Sequence, residues 1–364
     1  MGRVYILSAA RTPVAAIDGN LRDYNESKLS VEAMKLAIEL SGADAEEISE
    51  IVIGAAKQTS KPSNLARYSM LDARLPDRIP AYTVQRQSAS GLQAVVNGVW
   101  SIKSGMARLI LAGGCESMTH IPREIHNARS RFDEHTRIVF DPIAAQVEGA
   151  QPENLSVKSI YGHIAEKYGV TSGDALAYAA ASLAKARSRA PADYICKLES
   201  RKGKVVEPVE ADRVNPKPEI IAKPADGAAM LLLASEYTAA KRSPAAEILS
   251  VAAGAGAPAT GIADARTVKK ALDKAGVGMT DVSRIEIVEM NAAQVLATIM
   301  GLGLDASDKR INPSGGELAT GNPWGASGTV HLVDLVHGLN PGETGVVINP
   351  AEGGQLLCAV IRKV

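Results

Sequence analysis

The chain has 364 residues, 46% hydrophobic and 22% charged, a globular composition long enough to build two cores or one large duplicated core. Its 40 basic residues balance its 40 acidic ones, so no net field draws it to nucleic acid or to an anionic membrane. No apolar run approaches the length of a membrane span, and Met1-Gly-Arg-Val-Tyr-Ile-Leu-Ser8 enters a strand pattern without a signal peptide's apolar core, so the cytoplasm is the expected location. Three widely spaced cysteines, Cys115, Cys196 and Cys358, indicate neither a disulfide framework nor a metal cluster and read as small buried hydrophobes.

Strand and helix patterns alternate from the start, which predicts an α/β protein with helices covering its sheets. Thr83 to Val95 reads as a strand approach, a tight Ala89-Ser90-Gly91 turn and a helix whose Leu92, Val95, Val96 and Val99 recur at helical spacing. This places Ser88 at a helix N-terminus, where free N–H groups and the positive dipole end favour an anionic nucleophile or a developing oxyanion. The simpler role open to Ser88 is a helix cap. From about Thr119 to Ala222 the strand signal fades and one helical stretch, Ser172 to Ser188, stands out, as in an inserted subdomain that carries binding residues. The apolar run Ala228–Ala234 then closes the first sheet.

The second half repeats the first. Val268–Ile287 echoes Val31–Ile53, with Gly276 on Gly42, Ile285 on Ile51 and Ile287 on Ile53, and Ala326-Ser327-Gly328 echoes Ala89-Ser90-Gly91. Two matches in the same order predict a duplicated unit: residues 1–245, with an insertion at about 119–222, and residues 246–364. The helices after the two Ala-Ser-Gly turns are expected to pack centrally, with antiparallel strands at the sheet edges.

Arg11-Thr12-Pro13, the Ser88-Ala89-Ser90-Gly91-Leu92 turn, Gly113-Gly114-Cys115-Glu116-Ser117-Met118, Asn312-Pro313-Ser314-Gly315-Gly316 and Pro323-Trp324-Gly325-Ala326-Ser327-Gly328 together resemble the motifs of the thiolases. The resemblance spans the whole chain. It implies an α/β thiolase-like fold of two similar mixed-sheet halves with central helices and an inserted loop subdomain.

In that family a cysteine carries the acyl group, a Gly-His-Pro histidine activates it, and a second cysteine moves a proton at the α-carbon of the incoming acetyl-CoA. Fixed donors hold the thioester and enolate oxygens. Carried over position by position, the resemblance puts Ser88 at the nucleophile, Asn322 of Gly321-Asn322-Pro323 at the base, and Pro350 of Pro350-Ala351-Glu352-Gly353-Gly354 at the second cysteine. Asn291 of Asn291-Ala292-Ala293-Gln294 keeps the oxyanion-hole asparagine, while the family's Glu and Phe beside it are lost. A serine hydroxyl needs a neighbouring base that a thiolate does not. Asparagine takes no proton near neutral pH, and proline has no ionisable side chain. Glu352 is the one new titratable group within these motifs. An introduced serine would explain position 88 alone and leave Asn322 and Pro350 unaccounted for.

Two expectations of different kinds follow. One is a thiolase-like protein without normal thiolase activity, a non-catalytic or CoA-thioester-binding subunit beside an active partner. The other is an acyltransferase or acyl-CoA hydrolase of altered mechanism that uses Ser88. No covalently bound cofactor is expected, and a coenzyme A thioester is the ligand the resemblance implies. The segment Ile221–Gly227 is short where the family's CoA loop is long, and Val157-Lys158 replaces a Met-Gly pair. The strand Ala81–Arg86 reads as an edge to be paired. The expected assembly is therefore a homodimer, or a hetero-oligomer with an active thiolase paralogue or a small zinc-ribbon CoA-binding protein.

Overall fold

The structure, a computed structural model, describes residues 2–59, 61–125, 139–143, 157–200, 203, 205–206, 220–257 and 265–364. The first half contains β1 (Val4–Arg11), β2 (Ala15–Ala16), α1 (Glu26–Ser41), β3 (Glu50–Gly54), α2 (Leu65–Asp72), β4 (Ala81–Val84), α3 (Ser90–Lys103) and β5 (Leu109–Ser117). After β5 come the short pair β6 (Glu124–Ile125) and β7 (Val139–Phe140), then α4 (Val157–Tyr168) and α5 (Ser172–Arg187). Next in the chain are β8 (Ala225–Ser235) and α6 (Glu236–Ala239). The second half contains β9 (Ala246–Ala255), α7 (Ala265–Ala275), β10 (Val282–Ile287), α8 (Ala292–Gly301), α9 (Glu317–Thr320), α10 (Ser327–Gly338), β11 (Thr344–Ala351) and β12 (Gln355–Lys363).

The strands run in the order β10-β11-β12-β9-β1-β8-β5-β3-β4, with β2 added on β8. The order of one half mirrors the other: β3, β5, β8 and β1 on one side correspond to β10, β11, β12 and β9 on the other. Even β4 has its counterpart, since Ile311 bridges Ile285 in parallel outside β10. The halves meet where β1 pairs β9 antiparallel at Val4–Ile248, Tyr5–Glu247 and Ile6–Ala246. The antiparallel pairs of this sheet lie in its interior, β5–β8, β8–β1, β1–β9, β9–β12 and β12–β11, and the expected antiparallel edges are not found, since the outer pairs β4–β3 and β10–β11 are parallel. The outer strand β4 is parallel to β3, because the chain reaches it through α2 rather than through a hairpin, and a helical crossover returns the strand in the same direction.

Alternation along the strands sorts side chains into layers. On β5, Ile110 and Ala112 join a core with Leu92, Val95 and Val99 of α3 and Leu332, Val333 and Val336 of α10. Its neighbours Leu109 and Leu111 face the opposite way, toward Leu29, Ala33 and Met34 of α1. On β11, Val347 faces the shared core and Ile348 faces Val268 of α7 and Val295 of α8. The two helices after the Ala-Ser-Gly turns are therefore the central layer, covered by a sheet on each side and an outer helical layer beyond each sheet.

Their closeness depends on glycine. A Cβ on Gly91 would lie 2.5 Å from the Gly325 carbonyl oxygen and 2.9 Å from the Gly114 Cα, and one on Gly328 would lie 2.0 Å from Asn349 Oδ1. Both are the second residue of their helix, so Gly91 and Gly328 occupy equivalent elements. Gly42 and Gly276, matched in the repeat, end α1 and α7 with φ of 61° and 66°.

A buried ion cluster ties three parts of the chain. Arg11 of β1 donates through Nε to Asp334 Oδ1 of α10 at 3.0 Å, and Arg189, just beyond α5, donates through Nη2 to Asp334 Oδ2 at 2.7 Å. Burial alone would raise the Asp334 carboxyl; the Arg11 and Arg189 charges outweigh it and hold the group well below the usual carboxylate range. His337, on the same helix, stacks on Tyr194 at 3.8 Å and bonds the Ala9 carbonyl, a packing role. Among the described residues no helix is long and apolar enough to cross a membrane.

Candidate functional site

Ser88 stands two residues before Ser90, the first residue of α3. Ala89 holds the N-cap position and no side chain caps the helix, so the capping role open to Ser88 is not the one it fills. The turn is instead closed by Ser90, whose Oγ accepts from Arg86 N–H at 2.8 Å and donates to the Gln87 carbonyl at 2.6 Å. Gln87 has φ of 47°, a left-handed conformation that costs a non-glycine residue on the order of 1 kcal/mol and recurs at functional turns. The result is a sharp bend that turns Ser88 away from the helix axis and leaves it fully buried.

What Ser88 meets comes from the far end of the chain. Strands β11 and β12 pair in register up to Ala351 and Gln355, leaving Glu352-Gly353-Gly354 as the hairpin tip, with Gly353 and Gly354 at φ of 79° and 72°. The tip is held from the side by Gly256 N–H, which donates to the Gly354 carbonyl at 2.8 Å. Ser88 Oγ lies 2.7 Å and 2.8 Å from the two oxygens of the Glu352 carboxylate, and Ser88 N–H donates to Glu352 Oε2 at 3.1 Å. One carboxylate thus takes both donors of Ser88.

Pro350 lies within β11, opposite Leu356, and its carbonyl accepts from Asn349 Nδ2 at 2.8 Å. It contributes no proton-transfer group. Cys358 is on β12 and belongs to the outer core with Ile348 and Leu356, on the sheet face turned away from α10. Burial raises its thiol far above the ordinary value, and Cys196 is likewise pushed up to about 12 by burial. All three cysteines are buried and free, which makes each a poor thiolate.

The two asparagines are tied to one strap of chain. Ile221 bridges Asn291 and Pro224 bridges Asn322. Asn291 caps α8 through Oδ1, which accepts from Gln294 N–H at 2.8 Å. Asn322 is fixed at three points: its N–H donates to the Lys223 carbonyl at 2.6 Å, its carbonyl accepts from Ala225 N–H at 3.1 Å, and its Oδ1 accepts from the Ser327 hydroxyl at 2.6 Å. The Asn322 side-chain acceptor is therefore spent on the turn that starts α10.

Two buried carboxyl systems brace the turns around the site. Glu116, at the end of β5, accepts from the amides of Ala56 at 2.7 Å, Lys57 at 3.2 Å and Gly325 at 3.1 Å. Burial nevertheless pushes it up to about 8. It joins the turn before α10 to the end of β3. Farther out, His331 on α10 lies between Glu286 Oε2, at 2.5 Å, and Glu317 Oε2, at 3.0 Å. Burial alone would lower its pKa; Glu317 and Glu286 outweigh it and hold His331 well above the ordinary histidine value. Glu289 closes the network by accepting from Tyr178, Ser182, Asn312 and Leu318. No sequence motif singled out Glu289 or His331; a buried charge surrounded by donors is a tertiary property.

Among the described residues no cluster of His, Cys, Asp and Glu could hold a metal ion. The arrangement can hold a small anionic group against the Ser88 turn, since a hydroxyl and an amide converge there. The group nearest the Ser88 hydroxyl is a carboxylate and not an imidazole.

Comparison with known proteins agrees with this architecture. Residues 4–216 match the family model of the thiolase N-terminal domain and residues 242–363 that of the thiolase C-terminal domain. The chain is 31% identical over 404 residues to the beta-ketoadipyl-CoA thiolase of Pseudomonas knackmussii, covering 99% of each. It is 31% identical over 395 residues to a probable acetyl-CoA acyltransferase of Staphylococcus aureus, covering 100% of each. The solved structure of human mitochondrial 3-ketoacyl-CoA thiolase in complex with CoA superposes with a TM-score of 0.91 at 26% identity, covering 100% of this chain and 98% of that one. With both halves matched and full-length relatives on either side, the chain belongs to the thiolase family of acyl-CoA acyltransferases.

Proposed function

We propose that this chain is a thiolase-like subunit without normal thiolase activity, which binds a CoA thioester or acts non-catalytically beside an active partner. The observation that carries the reading is the contact between Ser88 and Glu352. At the nucleophile position a hydroxyl replaces a thiol, and its nearest titratable partner is a carboxylate 2.7 Å away in place of an imidazole. The base position is an asparagine bonded to Ser327, and the second-cysteine position is a proline. These three losses fall on the same proton transfers, so each makes the others harder to bypass. A CoA thioester is the ligand in keeping with the CoA-bound human relative.

Thiolysis of acetoacetyl-CoA by CoA, followed as acetyl-CoA formation, tests the reading. Turnover within about tenfold of an ordinary thiolase would overturn it. Thermal shift with acetyl-CoA, acetoacetyl-CoA and free CoA tests ligand binding, because a ligand of the native state raises its stability.

The Ser88–Glu352 bond also favours a second reading, an acyltransferase or acyl-CoA hydrolase in which Glu352 assists Ser88. Release of CoA from acetyl-CoA in water, abolished by Ser88→Ala and by Glu352→Gln, would establish it.

The proposed assembly is a homodimer or a hetero-oligomer with an active thiolase or a small zinc-ribbon CoA-binding protein. The outer strand β4 supports a pairing surface: it leads straight into the Ser88 turn, and Tyr82 on it and Trp100 on α3 are 36% and 54% exposed. Tyr82 and Asn97 are joined by a hydrogen bond, and Trp100 follows Asn97 by one helical turn, so the two rings flank one patch. Light scattering reports the oligomer, and a monomer at micromolar concentration would count against the edge pairing. Co-purification from the native host reports the partner.

A further inference from the structure

We propose that Glu352 is an internal ligand of the Ser88 turn: its carboxylate occupies the two-donor receptor that a thioester carbonyl oxygen would use, so this one residue sets whether the site accepts thioesters. The proposal rests on the reading of the chain as a thioester-binding subunit and specifies how that site is controlled.

Three observations converge. The receptor is built and rigid: Ser88 is fully buried, Gln87 is held at φ of 47°, and Ser90 closes the bend from both sides. Both Ser88 donors, the amide and the hydroxyl, point at the same carboxylate, at 3.1 Å and at 2.7–2.8 Å. An amide and a hydroxyl directed at one oxygen pair form the donor set that stabilises an anion or a polarised carbonyl. The occupant, in contrast, sits on a hairpin tip of three residues, two of them glycines at positive φ, and is itself only half-buried. Backbone that turns through consecutive left-handed glycines can swing by giving up the Gly256–Gly354 and Gln355–Glu352 hydrogen bonds that hold the tip, without dismantling β11 or β12, which stay paired up to Ala351 and Gln355.

A neutral carbonyl competes poorly with a tethered carboxylate. The carboxylate makes charge-assisted bonds, about twice as strong as neutral ones, and it is supplied intramolecularly, at an effective concentration a free ligand does not match. Free carboxylates and thioester carbonyls should therefore enter only when Glu352 is displaced or removed.

The test compares the full-length protein with Glu352→Ala and with Ser88→Ala/Glu352→Ala. Calorimetric titration with acetyl-CoA, acetoacetyl-CoA and free CoA is combined with thermal shift in acetate, a probe that needs no CoA site. Circular dichroism and the melting temperature establish that each variant is folded. The expected result is that Glu352→Ala binds both thioesters about tenfold or more tightly than the parent, while the affinity for free CoA changes less than about twofold. Acetate should stabilise Glu352→Ala and not the parent, and both gains should vanish in the double variant. A folded Glu352→Ala with unchanged thioester affinity and no acetate stabilisation overturns the proposal. Acetate stabilisation without binding of any CoA species upholds the internal ligand and overturns the thioester-binding reading instead. Ordinary thiolysis by the parent protein would overturn that reading too, independently of the titrations.

Discussion

Replacing Ser88 by cysteine restores the family's nucleophile in name, and the structure indicates why chemistry should not follow. The introduced sulfur would lie where Ser88 Oγ now contacts both Glu352 oxygens at 2.7 Å and 2.8 Å. A thiolate at roughly 3 Å from a carboxylate is opposed by about 1.4 kcal/mol in a water-like medium and about 5.5 kcal/mol at an effective dielectric constant of 20. That raises the thiol by about 1 to 4 pK units, and the burial of this position pushes in the same direction. From an ordinary value of about 8.5, the expected half-titration is at about pH 9.5 or higher, against about 3.5–7.5 for a cysteine activated at a helix start. The assay is the ultraviolet absorbance of the thiolate across pH, taken as the difference between Ser88→Cys and the parent, which cancels the buried Cys115, Cys196 and Cys358 and needs no reagent to reach the equally buried position 88. The companion Ser88→Cys/Glu352→Ala should titrate at least about one unit lower. Half-maximal thiolate formation in Ser88→Cys below about pH 8 would refute the electrostatic reasoning, as would a companion variant with the same profile. On the proposed reading thiolysis is expected to be absent in Ser88→Cys as well, because asparagine at 322 takes no proton near neutral pH.

Other outcomes follow from the frame around the site. Asp334→Ala leaves the buried Arg11 guanidinium without its carboxylate and should cost about 3–5 kcal/mol. At about 2.1 cal/mol/K per residue, that is a drop of about 4–7 °C in melting temperature, read by calorimetry. His331 has a folded pKa above its unfolded value of about 6.5, so its contribution is fully present below that pH and is lost as pH rises through the folded value. The urea midpoint should accordingly fall on the alkaline side, and His331→Gln should flatten that fall. Gly91→Ala should cost about 3 kcal/mol, because its Cβ would meet the Gly325 carbonyl and the Gly114 Cα, both backbone. Gly162→Ala, in the interior of α4 with nothing near its added Cβ, should instead gain up to about 1 kcal/mol, a contrast that melting curves resolve.

Local sequence carried much of the architecture. Period-two and helical patterns marked the strands and helices, and the matched pairs Gly42 with Gly276 and Gly91 with Gly328 identified equivalent helix ends, because a cap or a close approach constrains one residue at a time. The stretches that hold Ser88, Asn291, Asn322 and Pro350 stand out in the sequence as short motifs, but the local pattern does not decide which roles these residues take. Strand direction at the outer edge was not legible. Whether β4 runs with or against β3 depends on where the α2 crossover returns the chain, and the strand's own residues do not encode that.

The decisive contact was also beyond local reading. Glu352 could be noted as a carboxyl near the second-cysteine position, but its bond to Ser88 spans 264 residues. It exists because the Ser88 turn opens one central helix while the β11–β12 hairpin belongs to the other half of the duplication. The same holds for Arg11 with Asp334, and for His331 between Glu286 and Glu317. Sequence determines which side chains are available and which local conformation each prefers. Which of them lose water together, and so which charges and donors must satisfy one another, is decided only when the two halves close around their shared helices.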